Sequence, residues 1–241
     1  EPMDVAYFEE AIDYLVKQKT IKSDKGIGVC GISKGAEISL VMAAALPSNK
    51  LGAVAVLNAL VSYSMVDVFY KQTKLCNCKL FRLNAIRIQF LKVYFVLTAW
   101  KPPFPPPTDC ISEKTPNILN MSELVEHFPN KPETYIPFWN SDIPLLFVVG
   151  DDDQVCPSMQ QAKIAYELMT KAGKQAQMHQ SIHKSLGHLI DLPFSPPTTI
   201  SPHVLFPKPY LVEMGGFDLL QHGQAQEKIW IELLRFFKLY L

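Results

Sequence analysis

The architecture of this chain is best read from one stretch, Ile27-Gly28-Val29-Cys30-Gly31-Ile32-Ser33-Lys34-Gly35-Ala36. It starts as a short apolar run bounded by glycines, as a buried strand does, and leads into residues 36–46, which are apolar nearly all round, as in a buried helix. Between the two lies a G-x-S-x-G motif, the pattern of a sharp strand-to-helix turn that exposes a serine. We therefore predict that Ser33 has a strained backbone and an exposed hydroxyl. The flanking glycines are expected to avoid side-chain collisions. The backbone N–H of Lys34 is expected to face a developing oxyanion. The alternative is an ordinary glycine-rich turn.

Strand-like and helix-like segments alternate on both sides of this motif. Such alternation predicts an α/β fold, with a mostly parallel sheet and helices on both faces. In such sheets, ligands bind beyond the carboxyl ends of the strands, where Ser33 is expected. The predicted strands are 27–32, 51–60, 144–149 and 175–182, and the predicted helices are 4–19, 36–46, 159–171 and 224–240.

Candidates for a base and an orienting acid come later in the chain. A serine hydroxyl is a poor nucleophile without a base, and hydrolases of this kind carry serine, acid and histidine in that order. Asp151-Asp152-Asp153 follows a predicted strand directly, and His188 comes just after the next one. His183 is a rival base, because it lies nearer the strand end, and the aspartates could instead form a solvated loop or a cation site, although the EF-hand pattern is absent. The other histidines are expected at the surface or in packing: His127, His179, His203 and His222.

The composition limits the class of protein. The 241 residues include 23 Lys+Arg and 23 Asp+Glu, so the net charge is zero, and 48% are hydrophobic. These values exclude an intrinsically disordered chain and offer no basic patch for nucleic acid, and the length suits one α/β domain. Residues 80–100 resemble a membrane span, but Arg82, Arg87 and Lys92 interrupt them. Since a span needs about 20 mostly apolar residues, none is predicted.

The cysteines predict a reducing compartment. Five cysteines without regular spacing do not suit a disulfide framework. Cys76 and Cys78 lack a second pair, so no zinc site, and no other metal, is predicted. We therefore expect an intracellular protein, cytoplasmic in the first instance, with peroxisomal or mitochondrial location as alternatives.

Several motifs together resemble one family. These are Gly28-Val29-Cys30-Gly31-Ile32-Ser33-Lys34-Gly35-Ala36-Glu37, Val148-Val149-Gly150-Asp151-Asp152-Asp153, Gly187-His188-Leu189-Ile190-Asp191-Leu192-Pro193-Phe194-Ser195-Pro196, and Gly215-Gly216 followed by His222 and Ala225-Gln226-Glu227-Lys228-Ile229-Trp230. They resemble the type-I acyl-CoA thioesterases and the bile acid-CoA:amino acid N-acyltransferases, over most of the chain except its middle. The resemblance implies an α/β-hydrolase domain that acts on acyl-CoA.

The resemblance also implies a mechanism. Ser33 would be the nucleophile, His188 the base and Asp153 the acid, with Asp152 as the next candidate for the acid. Coenzyme A would be part of the substrate, and no cofactor is implied. In this family, a cysteine at the elbow goes with transfer to glycine or taurine and a serine with hydrolysis, so Ser33 favours a thioesterase. The alternatives are an N-acyltransferase, another serine esterase on the same fold, or an inactive fragment. Cys30 is expected to be packed rather than reactive.

The chain departs from the family in two respects. The family carries an N-terminal β-sandwich and further opening strands of the hydrolase sheet, so residues 1–241 would form a partial catalytic domain with an exposed sheet edge. The second oxyanion donor of this fold lies in that earlier part, and we therefore expect low or no activity. Residues 76–101 have no family counterpart and are interpreted as an atypical insertion or a translated intron. The sequence leaves acyl-chain length and oligomeric state open.

Overall fold

A computed structural model describes residues 2–64, 67–76, 118–121, 131–202 and 211–241. These residues form ten strands and four α-helices, which in chain order are β1 Met3–Asp4, α1 Ala6–Leu15, β2 Ile27–Ile32, α2 Lys34–Ala45, β3 Leu51–Leu57, β4 Val68–Tyr70, β5 Thr73–Lys74, β6 Ile118–Leu119, β7 Leu145–Gly150, α3 Ser158–Lys171, β8 Met178–His183, β9 Ile200–Pro202, β10 Leu211–Glu213 and α4 Leu219–Tyr240. All but the first residue of the predicted insertion at 76–101 lies outside the described residues, as do His127 and His203.

The central sheet has four parallel strands in the order β2-β3-β7-β8. Their carboxyl ends therefore meet at one edge, the edge at which ligands bind in sheets of this type. Two small sheets lie beside it, one formed by β1, β4 and β5 and the other by β6, β10 and β9. The mostly parallel sheet agrees with the prediction from the alternating pattern.

Helices cover both faces of the central sheet. On one face, Val54 and Val56 of β3 pack in a cluster with residues of α1, α2 and α3. On the other face, Ala53, Ala55 and Leu57 pack with α4. Because side chains alternate along a strand, the apolar run in β3 supplies both clusters, which is why it lacks polar positions.

Several predicted boundaries differ from those observed. The predicted strand 51–60 ends at Leu57, because Asn58 adopts a φ of 50°, which no strand residue has. The predicted helix 224–240 begins earlier, since the Asp218 side chain accepts the N–H of Gln221 and caps α4. Helix α1 is shorter than the predicted 4–19, ending at Leu15. Residues 175–177 form a 3₁₀ turn before β8 rather than the start of the strand.

None of the helices within the described ranges is both long enough and apolar enough to span a bilayer.

Candidate active site

The strand-to-helix turn of residues 31–35, which we call the elbow, holds Ser33 in a strained conformation. Ser33 has φ 55° and ψ −121°, a combination that non-glycine residues rarely adopt. A Cβ on Gly31 would overlap the carbonyl group of Gly35, so this glycine is required by close packing. A Cβ on Gly35 would meet nothing within 4 Å. The expectation that both glycines avoid collisions is therefore correct for Gly31 and wrong for Gly35.

A charge pair with a buried carboxylate and a partly exposed ammonium fixes the helical side of the elbow. The Lys34 Nζ donates to Glu37 Oε1 at 2.6 Å and to the carbonyl oxygen of Ser64 at 2.5 Å. The Glu37 carboxylate also accepts the N–H of Ser64 at 3.0 Å and its hydroxyl, and Glu37 is 1% exposed. Burial raises the pKa of Glu37, and the nearby Lys34 ammonium opposes that rise. As the first residue of α2, Lys34 has no intrahelical acceptor for its backbone N–H, which leaves that group free to bind an oxyanion.

Asp153 and His188 form a buried pair at the same edge of the sheet. The His188 Nδ1 lies 3.0 Å from both carboxylate oxygens of Asp153, and each side chain is 2% exposed. Asp153 also accepts the N–H of Val155 at 2.9 Å, the N–H of Cys156 at 3.0 Å and the hydroxyl of Ser158. An ionised Asp153 accepts only, so these contacts place a proton on His188 Nδ1 and leave the Nε2 lone pair available as a base.

The neighbouring aspartates bind backbone groups instead of an imidazole. Asp152 accepts the N–H groups of Gly216 at 2.7 Å and Phe217 at 3.2 Å. Asp151 accepts the N–H of Ser185 at 2.6 Å. Their side chains thus order loops around the pair formed by Asp153 and His188. No cluster of three His, Cys, Asp or Glu residues that could hold a metal occurs in the described part of the chain.

The rival base His183 faces a different partner. Its Nε2 lies 2.8 Å from the Ser181 hydroxyl and 3.3 Å from Glu232 Oε2 on α4. The backbone carbonyl of His183 accepts the N–H of Asp151 at 3.1 Å, so its main chain supports the loop of residues 151–153. Its ring points to α4. The geometry therefore favours His188 over His183 as the partner of the acid.

Ser33 and His188 are both tied to the end of β3, although no hydrogen bond joins them. The backbone N–H of Ser33 donates to the carbonyl of Leu57 at 3.0 Å. The side chain of Asn58, the next residue, donates to the carbonyl of His188 at 2.9 Å. Among the described residues, the Ser33 hydroxyl has no hydrogen-bond partner. The structure thus joins Asp153 to His188 by a hydrogen bond. It places Ser33 at the same edge of the sheet, because Ser33 binds Leu57 and His188 binds the next residue, Asn58.

Asn58 is the residue of this site that the sequence interpretation missed. Its side chain is fully buried and also donates to the carbonyl of Gly187 at 2.9 Å. The signal was present, because a lone asparagine inside an otherwise apolar run has to find hydrogen-bond partners when it is buried. Its position inside the predicted strand 51–60 made it look like an ordinary strand residue.

Cys30 is exposed, so the expectation that it is packed is wrong. It lies on β2, which is an edge strand of the described central sheet, and an edge strand has a neighbour on one side only. Partial burial of the sulfur by surrounding atoms nevertheless raises the pKa of the thiol to about 11. At neutral pH this thiol is therefore protonated and a weak nucleophile.

Comparison with known proteins agrees with the family resemblance of the sequence motifs. The family model described as BAAT / Acyl-CoA thioester hydrolase C terminal matches residues 3–241. Acyl-coenzyme A thioesterase 5 of Mus musculus is 29% identical over 99% of this chain and 49% of its own length. Acyl-coenzyme A amino acid N-acyltransferase 2 of Mus musculus is 26% identical over 100% of this chain and 50% of its own length. The mitochondrial acyl-coenzyme A thioesterase 2 of Rattus norvegicus is 28% identical over 98% of this chain and 45% of its own length.

The chain spans about half the length of these curated relatives. Among solved structures, a carboxylesterase of Nitrososphaera gargenis matches with a TM-score of 0.38 and 14% identity, over 76% of this chain and 63% of that one.

Proposed function

This chain belongs to the BAAT / acyl-CoA thioester hydrolase C-terminal family, and from that premise we propose that it hydrolyses fatty acyl-CoA through Ser33, His188 and Asp153. The observation that carries the proposal is the buried contact of His188 Nδ1 with both oxygens of Asp153, at the sheet edge that also presents the strained Ser33. A histidine fixed in this tautomer can take a proton at Nε2 from a nearby hydroxyl.

The acylation half of the reaction follows from these groups. Ser33 Oγ attacks the thioester carbonyl carbon while His188 Nε2 takes the hydroxyl proton. The backbone N–H of Lys34 stabilises the negative charge that develops on the carbonyl oxygen. When the carbon–sulfur bond breaks, His188 returns its proton to the departing thiolate of coenzyme A. Asp153 stabilises the imidazolium throughout and itself stays ionised.

The deacylation half uses the same base. His188 Nε2 takes a proton from a water molecule, and the resulting hydroxide attacks the acyl ester on Ser33. The carbon–oxygen bond to Ser33 then breaks, and Ser33 regains a proton from His188. The products are a free fatty acid and coenzyme A, and the cycle needs no cofactor beyond the coenzyme A of the substrate.

Transfer to an amino acid is the second candidate, because three N-acyltransferases among the relatives are about as similar to the chain as the thioesterases. It would start from the same acyl-enzyme, with an amine replacing water in the second step. Ser33 favours hydrolysis, since a serine ester is less reactive toward amines than the thioester that a cysteine would form. Formation of acyl-glycine or acyl-taurine when the free amino acid is added would show the transferase.

The test measures loss of the thioester from medium- and long-chain acyl-CoA by its ultraviolet absorbance. We expect a low rate for the unaltered chain, in line with the sequence analysis, and Ser33→Ala and His188→Ala should each lower that rate by about 10³-fold or more, since members of a triad act as a unit. Ser48→Ala, an exposed serine at the opposite edge of the sheet, is the matched control and should keep the wild-type rate. Wild-type rates in Ser33→Ala would refute the proposal, and faster turnover of simple esters than of acyl-CoA would indicate a general esterase.

A further inference from the structure

We propose that Asn58 and His222 are positioning residues that clamp the main chain of His188 and so set the direction of its ring. Residues 186–188, which we call the histidine turn, carry the base of the proposed reaction, and the catalytic meaning of the clamp rests on that proposed function. The sequence interpretation placed His222 at the surface or in packing, and it gave Asn58 no role.

All four polar backbone groups of Gly187 and His188 are bound by distant parts of the chain. Gly187 donates its N–H to His222 Nδ1 at 3.1 Å, and His188 donates its N–H to the carbonyl of Met214 at 2.6 Å. The Asn58 Nδ2 donates to the carbonyl oxygens of both Gly187 and His188 at 2.9 Å. Two side chains thus supply three of the four contacts that hold this turn.

The orientation of the Asn58 amide is unambiguous. Its Oδ1 accepts the N–H of Gly150 at 2.9 Å, a group that can only donate, while its Nδ2 faces two carbonyls that can only accept. Its own backbone N–H donates to the carbonyl of Val148. Asn58 therefore links the ends of β3 and β7 to the histidine turn. A φ of 50° suits asparagine better than most residues, which explains why this residue type can turn at the strand end.

His222 provides the matching acceptor from α4. Because Gly187 donates to Nδ1, the ring proton sits on Nε2, and that nitrogen is buried with no hydrogen-bond partner among the described residues. An unpaired buried N–H carries an energetic cost, so what His222 contributes to this turn is the acceptor at Nδ1. Gly216 packs so closely against Nδ1 of His222 that a Cβ on Gly216 would overlap this nitrogen.

The clamp matters for the chemistry because the direction of the His188 ring depends on its main chain. The Asp153 contact fixes one end of the ring, and the backbone fixes the other. If the turn shifts, the position of Nε2 relative to Ser33 changes, and a displacement of about 1 Å can lower the rate by about 10²-fold. Loss of a clamp residue should therefore lower kcat and leave KM nearly unchanged.

The first test replaces Asn58 by a residue of the same size that cannot donate. Asn58→Asp keeps an acceptor for Gly150 but turns a carboxylate oxygen toward the two carbonyls. Asn49→Asp makes the same chemical change at an exposed loop position and is the matched control. We expect Asn58→Asp to lower kcat by about 10- to 100-fold with KM within about twofold of wild type, and Asn49→Asp to change neither.

A second readout does not depend on turnover. The Nδ1–H proton of His188 on Asp153 should give a downfield NMR resonance that His188→Gln removes. In Asn58→Asp this resonance should shift or broaden through exchange with water. If wild type hydrolyses no acyl-CoA but its resonance responds to the variant, the proposed function fails and the clamp stands. If the chain is active and the resonance and kcat are unchanged in folded Asn58→Asp, the clamp is refuted.

His222 variants keep the proposal testable if Asn58→Asp does not fold. His222→Leu removes the acceptor for Gly187, whereas His222→Asn returns an oxygen near the position of Nδ1. We expect His222→Leu to perturb the His188 resonance and lower kcat, and His222→Asn to restore both at least in part. A His222→Asn variant as impaired as His222→Leu, or a His222→Leu variant with a wild-type resonance and kcat, would overturn the clamp.

Discussion

The elbow and the histidine turn lie at the same edge of the sheet but are held in place by different kinds of contact. The elbow is held by charged groups: Lys34 pairs with Glu37 three residues away, and the two side chains also bind Ser64, 27 to 30 residues away. The histidine turn is held by neutral hydrogen bonds from Asn58, 129 and 130 residues away, and from His222, 35 residues away. Local sequence can specify the Lys34–Glu37 pair of the elbow, whereas every contact of Asn58 and His222 with the histidine turn forms only in the completed fold.

This difference predicts how each region fails. The elbow should be sensitive to added volume, because its backbone segments are in direct contact at Gly31. The histidine turn should be sensitive to the loss of a distant partner, because the polar backbone groups of Gly187 and His188 are all bound by distant parts of the chain. Replacing a residue in one region while leaving the other intact therefore distinguishes sensitivity to added volume from sensitivity to the loss of a distant partner.

The largest effect is expected where the histidine turn meets its acid. Asp153→Asn keeps the size of the side chain but removes the charge that stabilises the His188 imidazolium, so kcat should fall by about 10³- to 10⁴-fold. Asp152→Asn removes a neighbouring carboxylate that binds only backbone and side-chain amide groups, and kcat should stay within about threefold, because its oxygen can still accept the Gly216 N–H. Steady-state kinetics on one acyl-CoA compares the two. Equal losses would mean that Asp153 has no special role.

The two glycines of the elbow should respond in opposite directions. Gly31→Ala forces a Cβ into the carbonyl group of Gly35 and should cost about 3 kcal/mol of unfolding free energy or prevent folding. Gly35→Ala enters open space in α2 and should gain up to about 1 kcal/mol, because alanine is the better helix former. Urea unfolding measures both changes. Similar stabilities for the two variants would show that the elbow is not tightly packed.

The thiol beside the elbow should react slowly despite its exposure. With a pKa of about 11 in place of 9.0, a smaller fraction of Cys30 is in the thiolate form near neutral pH. The greater nucleophilicity of a more basic thiolate offsets part of the resulting loss of reaction rate. We expect disulfide exchange with an aromatic disulfide about tenfold slower than for a free cysteine derivative, followed by peptide-resolved mass spectrometry. If Cys30 reacted faster than the free cysteine derivative, this prediction would be wrong, and Cys30 would be a rival nucleophile to Ser33.

The smallest expected effect concerns the charge pair of the elbow. The pKa of Glu37 lies above its ordinary value of 4.5 because of burial, so the folded state holds this proton more tightly than the unfolded state. The stability that Glu37 contributes is thus present below about pH 4.5 and is lost as pH rises through the raised value. Relative to wild type, Glu37→Gln should therefore gain stability as pH rises above about 4.5, because glutamine does not ionise. Urea unfolding across this rise in pH would contradict the account if the variant lost stability instead.

Much of the fold could be predicted from the sequence, because it depends on local patterns. Of the four strands of the central sheet, β2, β3 and β7 follow from apolar runs and β8 from a weaker pattern, and their parallel order follows from the alternation with helices. The position of Ser33 between β2 and α2 follows from a five-residue motif. Boundaries were less accurate where one side chain ends an element, as Asn58 does for β3 and Asp218 for α4.

The support of the site could not be predicted in the same way. The three aspartates and His188 were predicted at the same edge because each follows a predicted strand, and the family resemblance selected Asp153 among the aspartates. The structure joins Asp153 to His188 by a hydrogen bond, while their catalytic roles stay a prediction. Asn58 belongs to no motif, and the motif that contains His222 does not indicate its contacts, because both side chains bind backbone groups that come close only after β3, β7 and α4 have packed. The exposure of Cys30 likewise depends on which strand lies at the sheet edge, a property of the whole topology.

The most direct test of the central claim is to locate the acyl group during turnover. The chain is incubated with a long-chain acyl-CoA, quenched with acid, digested and analysed by mass spectrometry. The account predicts an acyl ester on the peptide that carries Ser33, absent from Ser33→Ala and present in Ser48→Ala. An acyl group on Cys30 instead, or consumption of the thioester with no acylated peptide, would contradict a serine nucleophile at the elbow.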